Sequence, residues 1–403
     1  MGLDLDFVRS QFPALADGFV YFDNAGGSAV LKAVADRVYD HLTTTSVQTG
    51  ASYVHSQRAA SRLAEARGGF ARLVGAGRPE EIIIGPSTTA LCQNLARALK
   101  GRLQPGDEIV VTAFDHESNI GPWRWLQQFG VVLKVWTIDP DSFEIDLDTL
   151  ERLLTPRTRL VAVTQTSNIL GTINPIAEIA HRVHAHGADI VVDAVAYAPH
   201  RLIDVVELDV DYYIFSFYKT YGPHLAVMFG KYDKLLELDG IYHHFYGKEQ
   251  LPQKLEPGNP NYELAWGAGA IVDYLDRLGG GGGDRASLAR AFDDISAHEA
   301  VIGERLLSYL RDRNDVRIIG RRDGARDRRV PTISFKVEGR DSADITRAVD
   351  EADIGIRFGD FHSKGLVEAV GAAGTSGVLR VSMVHYNTLQ EVDRLIDRLD
   401  RVL

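Results

Sequence analysis

The chain has 403 residues, and its 44 basic and 55 acidic side chains give a formal net charge of −11. This negative excess disfavours nucleic acid or an anionic membrane as a partner. A single cysteine, Cys92, excludes an intrachain disulfide and a cysteine-rich zinc site. The first residues, MGLDLDFVRSQFPALADG, hold neither the basic start nor the apolar run of a signal peptide. We therefore expect a cytoplasmic location.

Between residues 80 and 230 the sequence alternates short apolar, β-branched runs with helix-like segments. Such continuous runs are typical of strands that are buried on both faces of a parallel sheet. The predicted strands span residues 81–85, 108–112, 131–138, 159–165, 189–195, 210–217 and 225–230, and helix-like segments include 89–100 and 175–187. The pattern predicts an α/β domain with a mostly parallel sheet, whose functional residues follow the carboxyl ends of the strands.

Five consecutive glycines, 279–283, follow a predicted helix over 265–278 and indicate a flexible boundary. Beyond them the sequence predicts a helix over 285–312, a strand over 330–337, a helix near 342–352, a strand-like run over 379–386 and a last amphipathic helix. We therefore expect an N-terminal segment (1–25) that packs near the small domain, a large domain (26–278) and a small α+β domain (284–403).

Polar side chains with recognisable chemistry follow five of the predicted strands. Ser87, Thr88 and Thr89 precede a helix, where hydroxyls and free backbone N–H groups can bind an anion. His116 can stack on a flat ring or act as an acid or base, and Asn168 adds a polar group in a loop. Taken alone, each is explained as well by a helix cap, a hydrogen-bonded loop histidine or a turn.

Two of these strand ends carry charged groups. Asp193 lies inside an apolar run, where a carboxylate is costly to bury unless it is paired. Its cationic partner is either a protonated ring nitrogen or a structural ion-pair partner. Lys219 is flanked by Phe217, Tyr218 and Tyr221, which makes high exposure less expected than for a surface loop lysine. An amine in apolar surroundings has a lowered pKa and can form a Schiff base.

The order of these residues along the chain is more informative than any one of them. A pyridoxal phosphate site needs a phosphate cradle, a partner that stacks on the ring, an anion for the pyridinium nitrogen and an imine-forming lysine. The hydroxyl cluster, the histidine, the buried aspartate and the lysine supply these functions in that order.

Longer motifs extend the pattern over nearly the whole chain, from YFDNAGG (21–27) to HYNTLQEVDRLIDRL (385–399). With SFYKTYGPH (216–224) and LEPGNPNYELAWGAGAIVDYL (255–275), the chain resembles the fold-type I pyridoxal phosphate enzymes of the class V aminotransferase and cysteine desulfurase group. The resemblance implies a large domain with a mostly parallel seven-stranded sheet and a smaller α+β C-terminal domain. It also implies pyridoxal 5′-phosphate as cofactor, an L-amino acid as substrate and a homodimer with shared active sites.

The resemblance assigns roles to individual residues. Lys219 would form the Schiff base, Asp193 would pair with the pyridine nitrogen and His116 would stack on the ring. The implied cofactor contacts are Ser87, Thr88, Thr89, His116, Asn168, Asp193, Ser216, Tyr218, Lys219 and, across a dimer interface, Asn259. The implied substrate contacts are Arg380, which matches the arginine that grips the α-carboxylate, Arg357, which matches a second active-site arginine, and Asn168. An arginine fork suits a carboxylate.

Three positions depart from the family pattern. Ala196 stands where a Gln or His is usual beside the ring oxygen, and Tyr218 stands where a His often precedes the lysine. Desulfurases present a cysteine on a mobile loop of the small domain, and the corresponding stretch, 357–377, has none. Cys92 falls in the predicted helix after the hydroxyl cluster, where a buried structural cysteine is expected.

Without a loop cysteine, desulfuration through a protein persulfide is not expected. The first hypothesis is a C–S lyase that performs β-elimination on a cysteine-derived or other β-substituted amino acid. The alternatives are a class V aminotransferase and, third, an amino-acid epimerase. The stretch YHHFYGK (242–248) either lines the substrate entrance or is a surface loop.

Functions that belong to other classes of protein are less favoured. A nicotinamide-dependent oxidoreductase is disfavoured because no G-x-G-x-x-G follows a strand. No metal site is expected, because His184 and His186 point to different faces of a predicted helix that also carries His181. The pair His243–His244 is the other candidate for a metal site. A non-catalytic relative is disfavoured because Lys219 and Arg380 are both present.

Overall fold

The computed structural model describes residues 2–374 and 376–403. Its first elements are α1 (Leu5–Ser10), β1 (Val20–Tyr21), α2 (Lys32–Thr44) and α3 (Val54–Val74). Helices α2 and α3 were not predicted from the sequence. The buried stripe of α3 contains alanines such as Ala59 and Ala66 and two arginines, Arg62 and Arg67, which weakens the apolar periodicity on which a helix prediction depends.

The large sheet contains all seven predicted strands. They are β2 (Ile82–Gly85), β3 (Glu108–Thr112), β4 (Val132–Trp136), β5 (Thr158–Thr164), β6 (Asp189–Asp193), β7 (Tyr212–Ser216) and β8 (Ala226–Gly230). The strand order is β2-β8-β7-β6-β5-β3-β4. Only the pairs that involve β8 are antiparallel, so the predicted mostly parallel sheet is confirmed.

Helices cover both faces of this sheet. They are α4 (Thr88–Leu99), α5 (Gly121–Trp125), α6 (Leu147–Leu153), α7 (Ile176–Ala185), α8 (Tyr232–Glu237) and α9 (Tyr262–Leu278). Alternate residues of the central strands enter two separate apolar clusters, for example Val192 on one face and Val191 on the other. Burial on both faces explains why the strands read as continuous apolar runs.

The C-terminal part forms a four-stranded antiparallel sheet with helices. Its elements are α10 (Arg285–Arg311), β9 (Val316–Ile319), β10 (Thr332–Val337), α11 (Ser342–Asp350), β11 (Ile354–Gly355), β12 (Arg357–Gly359), α12 (Lys364–Ala369), β13 (Val378–Ser382) and α13 (Leu389–Val402). The sheet order is β12-β13-β10-β9. The strand-like run 379–386 is pleated only to Ser382, because the Asn387 side chain accepts the backbone N–H of Val384 in a turn.

The N-terminal segment joins the C-terminal part. Strand β1 pairs in parallel with β11, and Asp23 forms an isolated bridge with Ser382 at the end of β13. This pairing carries Asp23 to the boundary between the two sheets, where β13 also places Arg380. Among residues 2–374 and 376–403, none of the helices is long and apolar enough to cross a membrane.

A buried ion pair fixes the start of the loop that leads to Asn259. Glu256 accepts two hydrogen bonds from the Arg67 guanidinium, at 2.8 and 3.0 Å, and a third from the backbone N–H of Ile84 at 2.7 Å. Both side chains are almost fully buried. Removing one partner of such a pair leaves an uncompensated buried charge.

We predict that Glu256→Ala destabilises the protein by about 3–5 kcal/mol, because Arg67 loses its carboxylate. The measurement is urea-induced unfolding, monitored by circular dichroism. Glu65→Ala, an exposed change on α3, is the matched control and should be neutral. Equal unfolding midpoints for the two variants would contradict the prediction.

Candidate active site

Lys219 lies at the end of the short 3-10 turn that follows β7. Its side chain lines a cleft at the carboxyl ends of the large-sheet strands, and the residue is 8% exposed. Burial, and secondly the positive charge of Arg380, lower the pKa of its amine to about 8. About a tenth of this amine is therefore neutral at pH 7, far more than for an ordinary lysine.

Asp193 is the last residue of β6 and lines the same cleft. One carboxylate oxygen accepts the backbone N–H of Val195 at 2.9 Å. Burial raises the pKa of this carboxyl, against the opposing effects of that hydrogen bond and of Lys219. In the part of the chain that the structure describes, no basic side chain forms an ion pair with Asp193. A cationic ligand in the cleft would therefore stabilise its charged form.

The start of α4 forms one end of the cleft. Ser87 caps the helix by accepting the backbone N–H of Ala90 at 3.1 Å. The hydroxyls of Thr88 and Ser216 are 2.6 Å apart, and the Thr89 hydroxyl is 2.6 Å from that of Ser118. Hydroxyl groups and the positive end of a helix together favour an anion. All of these side chains except Ala90 line the cleft.

His116 follows β3 and lines the cleft beside Lys219. Its Nδ1 atom accepts the backbone N–H of Ser118 at 3.0 Å, which leaves the proton of the neutral ring on Nε2. Burial, and secondly the charge of Lys219, lower the pKa of His116 to about 4. His116 is therefore a flat, neutral ring at physiological pH, as stacking on a cofactor would require.

Asn168 lines the cleft, but its amide is engaged by the C-terminal part of the chain. Its Nδ2 donates to the carbonyl of Phe361 at 2.9 Å, and its Oδ1 accepts the Ser363 hydroxyl at 2.9 Å. Asn168 thus holds the loop after β12 against the large sheet. Its contact with a ring hydroxyl or substrate stays a prediction.

Two arginines share one carboxylate at the other end of the cleft. Arg380, which is 2% exposed, donates to Asp23 Oδ1 at 2.8 Å, and the more exposed Arg357 donates to Asp23 Oδ2 at 3.1 Å. The Nε atom of Arg380 has no hydrogen-bond partner among the described residues. One carboxylate leaves these two guanidinium groups with a net positive charge, which suits a carboxylate ligand.

Several residues of the site were not identified from the sequence. Ser118, Thr166 and His362 line the cleft, and Asp23 bonds the Arg380 side chain. Asp23 lies in the motif YFDNAGG (21–27), and Ser118 lies two residues after His116. Both residues were therefore visible in the sequence, but neither was assigned a role. The Thr166 hydroxyl is buried and lacks a hydrogen-bond partner within residues 2–374 and 376–403. A buried unpaired hydroxyl beside a cleft is satisfied when a polar ligand binds.

Of the remaining residues predicted for the site, some line the cleft and one does not. Tyr218 lines the cleft and stacks on His224, with ring centroids 5.0 Å apart, and Ala196 lines the cleft as well. Asn259 is exposed, has a φ of 65° and does not line the cleft of its own chain. Its contact across a dimer interface stays a prediction.

The alternative metal site gains no support from the structure. His184 contacts the carboxylates of Asp209 and Asp211, and His186 contacts Glu151. No group of three or more His, Cys, Asp or Glu side chains suited to a metal ion occurs in residues 2–374 and 376–403.

The cleft matches the chemistry of pyridoxal phosphate from one end to the other. The start of α4 suits the phosphate, the unpaired carboxylate of Asp193 suits a protonated ring nitrogen, and the buried amine of Lys219 suits the aldehyde carbon. The unsatisfied Thr166 hydroxyl lies along the same wall.

Comparisons with known proteins agree with this fold and cleft. Residues 20–395 match the family Aminotransferase class-V. The chain is 43% identical to the aminotransferase-like protein FGM3 of Gibberella zeae, covering 99% of this chain and 98% of the relative. It is 34% identical to the cysteine desulfurase-like protein ustD of Aspergillus flavus, covering 100% of this chain and 91% of the relative.

Its fold is also similar to the crystal structure of the cysteine desulfurase CsdA from Escherichia coli. The TM-score is 0.86 at 28% identity, with 99% of this chain and 98% of the other covered. The family match spans both sheets and every cleft residue described above. The chain belongs to the class V aminotransferase family and is a pyridoxal phosphate-dependent enzyme.

Proposed function

We propose that this enzyme is a C–S lyase that performs β-elimination on a cysteine-derived or other β-substituted L-amino acid. The proposal rests on the position of Cys92, the sole cysteine of the chain. It is 0% exposed inside α4, and burial raises the pKa of its thiol well above the usual range. A buried thiol that stays protonated is a poor acceptor for sulfur. The released sulfur therefore leaves as a free thiol.

Bound pyridoxal phosphate supplies an electron sink for bonds to the α-carbon of an amino acid. The chain would hold the cofactor phosphate at Ser87, Thr88 and Ser216, and Asp193 would accept the N–H of the protonated ring nitrogen. Neutral His116 would cover one face of the ring without adding a competing charge. These contacts would orient the cofactor and keep its ring nitrogen protonated.

The two arginines at one end of the cleft would orient the substrate. Arg380 would bind the α-carboxylate, since its guanidinium is buried, partly unpaired and fixed by Asp23. Lys219 lines the same cleft, and its lowered pKa would make a neutral amine available to remove the α-proton. With S-alkyl cysteine and water as reactants, the products are a thiol, pyruvate and ammonium.

A class V aminotransferase is the second candidate, favoured by the name and 43% identity of the Gibberella zeae relative. The name and 34% identity of the desulfurase-like Aspergillus flavus relative favour chemistry at sulfur instead. The two candidates share proton removal at Cα and differ in products. Transamination would convert the cofactor into pyridoxamine phosphate and leave the side chain of the substrate intact.

We also propose a homodimer in which Asn259 reaches the cofactor phosphate of the partner. Large apolar side chains on α2 and α3 are exposed, including Tyr39 at 71% and Val54 at 69%. The loop that carries Asn259 runs into Tyr262, whose hydroxyl bonds the Gln48 side chain between these helices at 3.3 Å. Exposed apolar patches of this kind are typical of protein interfaces.

A product assay separates the two reactions. We predict that the holoenzyme incubated with S-ethyl-L-cysteine releases ethanethiol, pyruvate and ammonium, and that Lys219→Ala releases none. Cys92→Ala should keep kcat within about threefold, since a buried thiol takes no part. Pyridoxamine phosphate with an intact 2-oxo acid would favour the aminotransferase, and loss of turnover in Cys92→Ala would contradict a persulfide-free route.

The lowered pKa of Lys219 predicts the pH dependence of cofactor uptake. Only the neutral amine attacks the aldehyde, so the rate at which apo-protein takes up pyridoxal phosphate should rise with pH up to about 8 and then level off. The measurement is stopped-flow absorbance of the imine. An N-acetyl-lysine amide control in solution should keep accelerating to about pH 10. A protein profile that follows this control would contradict a buried Lys219 amine.

The dimer proposal makes a separate prediction. Light scattering should report a dimer for the wild type and for Asn259→Ala, while Asn259→Ala binds pyridoxal phosphate at least about tenfold more weakly because one phosphate contact is lost. A double change, Tyr39→Asp and Val54→Asp, should give monomers with the same or a greater loss of cofactor affinity. A monomeric wild type would contradict the proposal.

A further inference from the structure

The loop after β12 has an unusual backbone at the cleft. Phe361 and His362 have φ angles of 52° and 59°, in the left-handed region that residues other than glycine adopt uncommonly. Two such residues in succession cost free energy, so other contacts must fix the loop in this conformation.

Three hydrogen bonds fix three consecutive residues of this loop to the large domain. The carbonyl of Phe361 accepts from Asn168, the carbonyl of His362 accepts from the backbone N–H of Glu117 at 2.9 Å, and the Ser363 hydroxyl donates to Asn168. The Phe361 ring lies 3.7 Å from the Arg380 guanidinium carbon. The strained loop is therefore docked against residues that belong to the active site.

This docking places the imidazole of His362 in the cleft. Its ring centroid lies 5.2 Å from that of His116, and it lines the cleft wall with Lys219, Arg357 and Arg380. Neither ring nitrogen of His362 has a hydrogen-bond partner among the described residues. The residue is exposed, so its ring can exchange protons with water.

The reaction proposed above needs a proton at a second position. When the bond between Cβ and sulfur breaks, the electron pair goes to sulfur, and an alkyl thiolate is a poor leaving group unless it is protonated. Lys219 is committed to the α-proton, and Arg380 to the carboxylate. His116 has a pKa of about 4, so almost none of its ring is in the protonated form at neutral pH.

We propose that His362 is a catalytic residue that donates a proton to the leaving sulfur atom. The inference rests on the proposed C–S lyase function. As the Cβ–S bond breaks, the N–H bond of the His362 imidazolium gives its proton to sulfur and keeps its electron pair on nitrogen. The thiol leaves neutral, and the neutral imidazole then takes a proton from water at the cleft mouth. No oxidant or reductant is required.

The variant that tests this role is His362→Asn. Asparagine tolerates the left-handed backbone, so the loop can keep its conformation, but its side chain cannot act as an acid. The matched control is His181→Asn, an exposed histidine on α7 that does not line the cleft. An unchanged cofactor absorbance spectrum in both holoenzymes would show that the site is intact.

Two substrates that differ in their leaving group provide the readout. S-ethyl-L-cysteine expels a basic thiolate, whereas β-chloro-L-alanine expels chloride, which needs no proton. We expect His362→Asn to lower kcat/KM for S-ethyl-L-cysteine by about 100-fold or more, and to change it for β-chloro-L-alanine by less than about threefold. His181→Asn should match the wild type on both substrates.

Other outcomes overturn the inference. Equal losses on both substrates would show that His362 only shapes the site, and no loss on either would show that another group supplies the proton. Both results leave the lyase function standing, because the wild type still forms ethanethiol. A wild type that forms no ethanethiol from S-ethyl-L-cysteine would overturn the proposed function and, with it, this role of His362.

Discussion

The buried positive charge around Lys219 and Arg380 is the constraint on which the rest of the active site depends. Each cation lies in a cleft with little access to water, so each raises the cost of ionising the other. Asp23 offsets the charge of Arg380 by a direct hydrogen bond, whereas Lys219 responds by a lowered pKa. Burial, and secondly the repulsion from Arg380, destabilise the lysine cation and so make a neutral amine available for chemistry.

The cleft is built by chain segments that are far apart in sequence. The ends of β6 and β7 supply Asp193 and Lys219, whereas β13 supplies Arg380. Asp23 reaches Arg380 because β1 pairs with β11 of the C-terminal part. Asn168 ties the loop after β12 to the large sheet. The position of Arg380 and Asp23 relative to Lys219 therefore depends on contacts between segments that are distant in sequence.

Sequence patterns were sufficient for the large sheet and for the side chains at its strand ends. Strands buried on both faces leave continuous apolar runs, and a parallel sheet gathers the residues that follow them. Lys219, Asp193 and His116 therefore came together as the spacing predicted. Helix α3 escaped prediction because its buried face includes alanine and arginine, which blur the periodicity.

Other features depend on tertiary contacts that no local pattern reveals. In the sequence Asp23 is an ordinary polar loop residue, and only the pairing of β1 with β11 brings it to Arg380. Likewise, His362 is an ordinary loop histidine in the sequence, and hydrogen bonds from Asn168 and Glu117 to its loop place it at the cleft. The engagement of Asn168 by Phe361 and Ser363 likewise requires the two parts of the chain to meet. The sequence alone therefore could not place these side chains at the cleft.

Every role proposed for the cleft requires that the buried amine of Lys219 holds the cofactor. Borohydride reduction of the holoenzyme, followed by proteolysis and mass spectrometry, tests this claim most directly, because reduction makes the lysine–cofactor bond permanent. We expect one phosphopyridoxyl group for each chain, on the peptide that contains Lys219. A label on another lysine, or no label on a protein that has bound the cofactor, would contradict it.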